Sequence, residues 1–514
     1  PTPTSGNPPA PTSGNRPLFV WLALLTFALL STAINLESNG FLEADGVYHY
    51  LYSRYAFEVP AYFTDVWARP LRTAIYAVPA QLGELRGVRV MSLLLALVLA
   101  LTTWKIARDL HLPAPGLSAM FTLAQPLVLL HSVAELSELP FAVLLALAFW
   151  CYLQRRFLLT ASLVGLMPLA RPEGFGFILV AVIVLPLHVA ARRPTRPASA
   201  LLVVALLFLP LVAWNHVGWT LNGRSGPAWR WLVNNWPYSS TSAYARGSLG
   251  KYVAMLPAIV GPMLLPATLA GIALALTAIV RAMRTRATGE ASALSRLDHR
   301  VVCLALVALV PIGILVGHSL LHWRGLMASS GEVRYLLIVA AFWGLLSGIG
   351  FEWMFRRFRL PAMWHAAAVA SVAWLPVNLY WQIVPYRPTS DWRDAEQIVA
   401  WYRETSLAEA FPTMLAGHPG IIYHLHRRPG DMSHALVEQR PAGTLYVWDP
   451  VYSLHNADAS RIIHVEALER AGWRELRLPS DGLAGSWRVF ATEPGSLPSS
   501  PTSRPDRSTG APSR

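Results

Sequence analysis

Charge is scarce in this chain of 514 residues: Asp, Glu, Lys and Arg make up 14% of it, and 54% is hydrophobic. A soluble protein carries about 25% charged residues. With a mean hydropathy of +0.40, this excludes a disordered chain and fits an ordinary soluble enzyme poorly. Lysine is nearly missing, since only Lys105 and Lys251 among the 42 basic residues are lysines. Cysteine is almost absent too. Cys151 and Cys303 both sit in apolar runs, which leaves no disulfide framework and no thiolate zinc set. Acids number 29, and the net charge is +13. Such a balance suits either nucleic acid or the cytoplasmic face of a membrane, and the placement of the arginines decides between them.

A bilayer core takes about 20 apolar residues per helix. Eleven candidate spans lie near 18–35, 87–104, 115–131, 139–153, 157–170, 175–191, 198–216, 253–280, 301–321, 335–351 and 361–385. Residues 72–83 are too short to cross and read as an interfacial helix. With a cytoplasmic N-terminus, the inner loops hold Lys105 and Arg108; Arg155 and Arg156; Arg192, Arg193 and Arg196; Arg281, Arg284, Arg286, Arg296 and Arg300; and Arg356, Arg357 and Arg359. Most acids fall in the opposite loops. The basic loops are therefore orientation signals, which speaks against a nucleic-acid partner and places the C-terminal region outside. Residues 1–17 and 494–514 are rich in Pro, Ser, Thr and Gly and are expected to be disordered tails. The segment 18–35 lacks the small-residue cleavage site of a signal peptide. The fold class expected is thus an α-helical polytopic membrane protein over 18–385 with a small extracytoplasmic α/β domain over 386–493. In that domain GIIYHL, GTLYVWD and WRVFAT read as strands, DWRDAEQIVAWYRETS and ASRIIHVEALERAG as helices.

The chemistry-bearing residues cluster at the outer ends of the spans. In the first outer loop, Glu43 and Asp45 follow the first span. A carboxylate in a partly desolvated cleft there can act as a general base; the alternative is a pair of ordinary solvated acids. HSVAELSELPF follows the third span with His131, Glu135 and Glu138. On a helix the two glutamates share a face and suit a divalent cation, or else they form a polar helix end. LARPEGFGF brings Arg171 and Glu173 around Pro172, a costly pair near lipid, read either as functional or as a salt bridge turning a helical hairpin. The segment GHSLLHWRGLMASSGEVRYLL carries His318 and His322 at i,i+4, with Arg324, Glu332 and Arg334. Outer arginines break the positive-inside pattern and suit an anion such as phosphate, unless Arg334 simply pairs with Glu332. The loop 217–252, rich in Trp, Tyr, Asn and Ser, suits a carbohydrate or a lipid headgroup, or an interfacial aromatic belt.

With LEADGVYHY and WARPLRTAIY in the first outer loop, AELSELPF after the third span, LARPEG, and GEVRYLL late in the chain, residues 18 to about 385 resemble the GT-C superfamily of polytopic glycosyltransferases. The sequence is most similar to the branch of protein O-mannosyltransferases and lipid A aminoarabinose transferases. The resemblance implies an inverting transfer from a polyprenyl or dolichyl phosphosugar, with Asp45 as the acid of the first outer loop. Here Glu43-Ala44-Asp45 stands where relatives carry an adjacent Asp-Glu pair. A second acidic motif falls on Glu135 and Glu138, where some members hold a divalent metal ion.

These readings combine into an expected membrane glycosyltransferase acting on the extracytoplasmic side. Its partners are a lipid-linked sugar donor, a protein, lipid or glycan acceptor, and membrane lipid. Asp45 takes the acceptor proton. Arg324, Arg334, Arg69 and Arg72 are candidates to stabilise the departing phosphate, and Glu43, His49, Arg171, Glu173, His318, His322 and Glu332 to bind substrate. Glu135 and Glu138 position the acceptor or a metal. The rival class is a polytopic secondary transporter of a small polar or anionic solute, which would show charges near the bilayer midplane and repeated halves. Neither is visible.

Overall fold

Lipid offers no hydrogen-bond partner to a peptide group, so an apolar run that crosses it closes its bonds within a helix. The computed structural model describes residues 17–192, 197–238, 246–287, 299–327, 329–359, 383–429, 434–454, 462–476 and 486–494, with isolated residues at 361, 363, 366, 369, 370 and 478. Among these it contains six helices long and apolar enough to cross a membrane. They lie in α1 (Pro17–Glu37), α3 (Pro70–Asp109), α9 (Pro197–Leu221), α13 (Leu265–Ala287), α14 (His299–Arg324), and the run Val333–Phe358 that ends in α15 (Ala340–Phe358). The shorter helices α6 (Glu138–Leu153), α7 (Phe157–Ala170) and α8 (Gly174–Arg192) complete the apolar set. α1 turns Leu18, Trp21, Leu22, Leu25 and Leu29 outward, an apolar face that only lipid suits as solvent. α6 instead is buried almost all round.

The helix bounds depart from the expected spans where proline, glycine or a kink intervenes. The segment 115–131 divides into α4 (Pro115–Leu123) and α5 (Pro126–His131), both buried throughout. Pro126 lacks an N–H and holds Gln125 extended, which ends the first helix. The expected span at 253–280 contains α11 (Lys251–Ala254), α12 (Leu256–Val260) and then α13, with a break at Gly261, φ +105°. α10 (Trp231–Asn234) lies in the aromatic loop, of which 239–245 fall outside the described residues. So do most of the expected span 361–385 and the two tails, apart from their inner ends.

The 40-residue helix α3 is not straight. Gly83 and Glu84 leave helical geometry, Glu84 at φ +50° and ψ −139°, and the two arms fold back on each other. A Cβ on Gly87 would lie 2.3 Å from the Pro79 carbonyl oxygen, and Tyr76 Oη meets Ser92 Oγ at 2.9 Å. Residues 72–83 therefore form one arm of a helical hairpin whose other arm is the second span.

The chain divides into two compact units after Arg387. In the second, a four-stranded sheet has the order β1 (Thr413–Ala416), β2 (Thr444–Trp448), β4 (Arg488–Ala491), β3 (Arg474–Leu476), with β1 and β2 parallel and the other pairs antiparallel. Period-2 alternation covers both faces. Met414, Leu445, Val447 and Val489 pack with Ile398 and Val399 of the helix Ser390–Glu404, while Leu415, Tyr446 and Phe490 pack with Leu468 and Trp473. GTLYVWD and WRVFAT form strands as expected, but GIIYHL does not. It forms the helix Pro419–His424, started by Pro419 at its first position and by the His418 side chain accepting from Gly420 N. The expected helix ASRIIHVEALERAG is reduced to Val465–Arg470 among the described residues.

Candidate active site

Asp45 and Glu43 owe their position to a short helix. Glu43 is the extended N-cap of α2 (Ala44–Arg54), and Asp45 lies in its first turn, where the positive end of the helix dipole favours carboxylates. Arg334 reaches both. Its guanidinium lies 2.8 Å from Glu43 Oε1 and 2.5 Å from Asp45 Oδ2, and 3.4 Å from Glu138 Oε1. Among the described residues its ion-pair partners are thus Glu43, Asp45 and Glu138 rather than Glu332. Asp45 keeps 42% of its side chain exposed, whereas Glu138 is fully buried. Burial pushes the Glu43 carboxyl up to about 8, against the pull of Arg334 and with Asp45, Glu138 and Glu332 adding repulsion.

A second arginine closes the other side of Glu138. Arg171 precedes Pro172 and is therefore extended. It donates to Glu138 Oε1 at 2.5 Å and grips Glu173 through Nε and Nη2 at 2.9 to 3.1 Å. Gly174 permits this turn, since a Cβ there would lie 2.3 Å from Pro168 N. The salt-bridged hairpin and the functional cluster are thus the same structure. Burial raises the Glu173 carboxyl, but Arg171 and His318 together outweigh it and hold the group well below the usual carboxylate range. His318 Nε2 stands 3.3 Å from Glu173 Oε1, and its ring lies 5.1 Å from that of Tyr335. One contiguous cluster therefore holds Glu43, Asp45, Glu138, Arg171, Glu173, His318 and Arg334. With Glu43 holding its proton, three carboxylates still outnumber the two guanidiniums.

Other expected site residues stand elsewhere. Helix α6 begins at Glu138 and Glu135 precedes it, so the two glutamates do not share a helical face. Glu135 goes to Arg89 at 2.6 Å, Glu138 to Arg171 and Arg334. This donor set does not fit a metal ion, and no group of three His, Cys, Asp or Glu among the described residues is placed to hold one. Arg72 is fully buried and spends its guanidinium on the His49 carbonyl, Ser53 Oγ and the Glu135 carbonyl, which leaves little for a phosphate. His49 is buried and stacks on Trp67 with centroids 4.7 Å apart. His131 is buried at the end of α5, with Nδ1 on the Leu127 carbonyl. Arg324 is exposed and lies over the Trp323 ring, outside the cluster. Arg69 is buried, bonded to the Val66 carbonyl and Tyr238 Oη. His322 is buried beside Lys251, since a Cβ on Gly331 would lie 2.6 Å from both His322 Cε1 and Lys251 Nζ.

Two residues escaped the sequence reading: Lys251 and Arg89. Arg89 carried a signal, because an arginine inside an apolar run must be paired. Lys251, one of two lysines in the chain, carried only its rarity.

No protein-family profile matches this chain, and no curated protein matches it. Solved structures do. ArnT, an aminoarabinose transferase, from Cupriavidus metallidurans bound to undecaprenyl phosphate is similar with a TM-score of 0.58 at 14% identity, over 91% of this chain and 97% of that one. Its apo form gives 0.57 over the same shares. The apo oligosaccharyltransferase of Archaeoglobus fulgidus gives 0.51 at 12% identity, over 84% of this chain and 70% of its own. At such identities the likeness speaks for the fold alone: the chain shares the fold of ArnT and of that oligosaccharyltransferase.

Proposed function

We propose that the chain is a membrane glycosyltransferase that moves a sugar from a polyprenyl- or dolichyl-phosphate carrier to an acceptor hydroxyl. The observation that carries this reading is the setting of Asp45. It is a half-exposed carboxylate held in one orientation by Arg334, at the rim of an otherwise buried set of ion pairs. The acceptor oxygen attacks the anomeric carbon while Asp45 takes its proton. The bond from that carbon to the phosphate oxygen breaks, and its electron pair leaves with the lipid phosphate. Attack opposite the leaving group inverts the anomeric centre. Glu43, raised to about 8 by burial, keeps its proton at neutral pH, so the base role falls to Asp45.

The departing phosphate needs cations not already spent on carboxylates. Arg334 and Arg171 are spent in this way. Arg69 and Lys251 have no ion-pair partner among the described residues and are our assignment for the phosphate, with His322 beside Lys251. ArnT of C. metallidurans binds undecaprenyl phosphate, which supports a lipid phosphate as carrier. The basic loops gather at the far ends of the same helices, so the positive-inside rule puts the N-terminus in the cytoplasm and the acids outside.

The charges stand at helix ends rather than mid-span, which favours transfer over transport. Purified protein incubated with a panel of polyprenyl-phosphate sugars and an alcohol acceptor should release free lipid phosphate, read by mass spectrometry. A positioned base contributes about 10²–10⁴-fold, so Asp45→Asn should lose that much turnover at unchanged expression. Near-wild-type turnover in that variant sinks the assignment, and counterflow uptake without lipid phosphate release would favour a transporter.

A further inference from the structure

Arg72 and Arg89 are 17 residues apart, about 25 Å along a straight α-helix. In the folded hairpin of α3 both converge on Glu135. Arg89 donates through Nε to the Glu135 carboxylate at 2.6 Å, while Arg72 donates through Nε and Nη2 to the Glu135 carbonyl at 3.1 and 2.5 Å. All three residues are fully buried. The guanidiniums then spend their remaining donors on one stretch of chain. Arg89 Nη1 reaches the Ser38 carbonyl at 3.1 Å and Nη2 the Gly40 carbonyl. Arg72 Nη1 reaches the His49 carbonyl and, at 2.6 Å, Ser53 Oγ.

Glu43 and Asp45 lie between these two anchored ends. The second Glu135 oxygen, Oε2, has no hydrogen-bond partner among the described residues and sits 3.1 Å from where a Cβ on Gly46 would be, directly against the first turn of α2. Tyr386 closes the near end: its carbonyl accepts from Asn39 N and Gly40 N, its N–H donates to Ser38 Oγ, and its ring lies 5.6 Å from the Arg89 guanidinium. The buried Glu135 thus ties both arms of the hairpin to the two ends of the loop that carries Asp45.

We propose that Glu135 is a positioning residue: with Arg89 and Arg72 it forms a buried clamp that fixes segment 38–53 and so aims the Asp45 carboxylate. The inference rests on Asp45 as base, but the clamp itself is a statement about geometry. Misplacing a reacting group by about 1 Å costs on the order of 10²-fold in rate, whereas binding of a carrier held elsewhere is untouched.

The test uses the full chain in lipid nanodiscs and three variants. Glu135→Gln keeps the carbonyl for Arg72 and removes the charge from Arg89, Glu135→Asp restores the charge on a shorter arm, and Ser53→Ala removes one bond of Arg72 and leaves the ion pair. In Glu135→Gln, kcat on the best phosphosugar of the panel should fall roughly 10²-fold, with KM and native-mass-spectrometry binding of decaprenyl phosphate within about twofold. Amide exchange over 38–54 should rise about tenfold while α6 stays protected. Glu135→Asp should recover part of kcat, and Ser53→Ala should loosen 49–54 alone. Wild-type kcat and exchange in Glu135→Gln overturn the clamp, and so does exchange raised evenly over the whole unit with binding lost in parallel. If no phosphosugar turns over in the unmodified protein, the proposed function fails, and the exchange pattern still decides the clamp.

Discussion

The two ends of the membrane unit use arginine in opposite ways. At one end Arg108, Arg155, Arg156, Arg281 and Arg284 are exposed. Arg108 reaches the adjacent Asp109 at 3.3 Å, to which Trp150 Nε1 and Gln154 Nε2 also donate, and Arg300 meets His111. At the other end Arg69, Arg72, Arg89 and Arg171 are buried, and Arg334 keeps 12% of its side chain exposed. Four of these five lie on Glu43, Asp45, Glu135, Glu138 or Glu173. The same residue type is a solvated surface charge at one end and a framework where protein replaces water at the other. The net charge of +13 thus says little of function, and the few acids say most.

If that contrast is right, deleting one arginine at each end should give very different losses. Arg171→Met strands Glu138 and Glu173 without their shared partner, and breaking such a buried pair costs about 3–5 kcal/mol. Arg155→Met removes an exposed charge and should stay within about 0.5 kcal/mol. Thermal unfolding in one detergent compares them directly, and equal shifts would erase the distinction. A second contrast probes the close backbone approach that brings Arg72 and Arg89 together. Gly87→Ala drives a Cβ to 2.3 Å from the Pro79 carbonyl oxygen, an overpacking worth about 1–3 kcal/mol of destabilisation. Gly313, inside α14, has open space around it, so Gly313→Ala should gain up to about 1 kcal/mol of helix propensity. Losses of similar size at both glycines would mean that the hairpin is not tightly closed.

Much of the acid end was legible because of what lipid forbids. An apolar run must become a helix, and a charge beside it must find a partner, so the grouping of Asp45, Glu138, Arg171 and Arg334 on one side follows from their places at span ends. Which acid takes which arginine does not follow. Glu135 and Glu138 are three residues apart, yet they face different arginines because α6 starts between them, and its start depends on Arg72 and Ser92 satisfying the carbonyls of Glu135 and Ala134. The turn at Gly83 and Glu84 and the helix in GIIYHL were hidden for the same reason. Local pattern allowed both states, and contacts distant in sequence or a single cap selected one.

Glu43 offers a titration that separates the ends. Its carboxyl stands near 8 in the folded protein, against 4.5 as its ordinary value. Between those values the folded state keeps a proton that the unfolded chain has lost, so stability is greatest below the lower value and falls as pH rises through this window. The unfolding midpoint should therefore decline from pH 5 to pH 8 more steeply in the wild type than in Glu43→Gln. Arg155→Gln, at the exposed end, should leave the slope unchanged. Parallel slopes in the wild type and Glu43→Gln would show that the acid cluster shares its protons differently.

The smallest expected effect is at Glu84, the hinge of the α3 hairpin. Its φ of +50° and ψ of −139° match the first central position of a type II′ turn, which glycine favours. A non-glycine residue held there costs roughly 1–3 kcal/mol, while glycine gives up about 0.5–1 kcal/mol in the flexibility of the unfolded chain. Glu84→Gly should thus raise stability modestly, by about 1 kcal/mol, and leave amide exchange over 38–54 as it was. A gain with unchanged exchange would mean that the hinge only joins the arms and that the aim of Asp45 depends on Arg72, Arg89 and Glu135. Faster exchange over 38–54 would instead make the rigidity of the hinge part of the acid end itself.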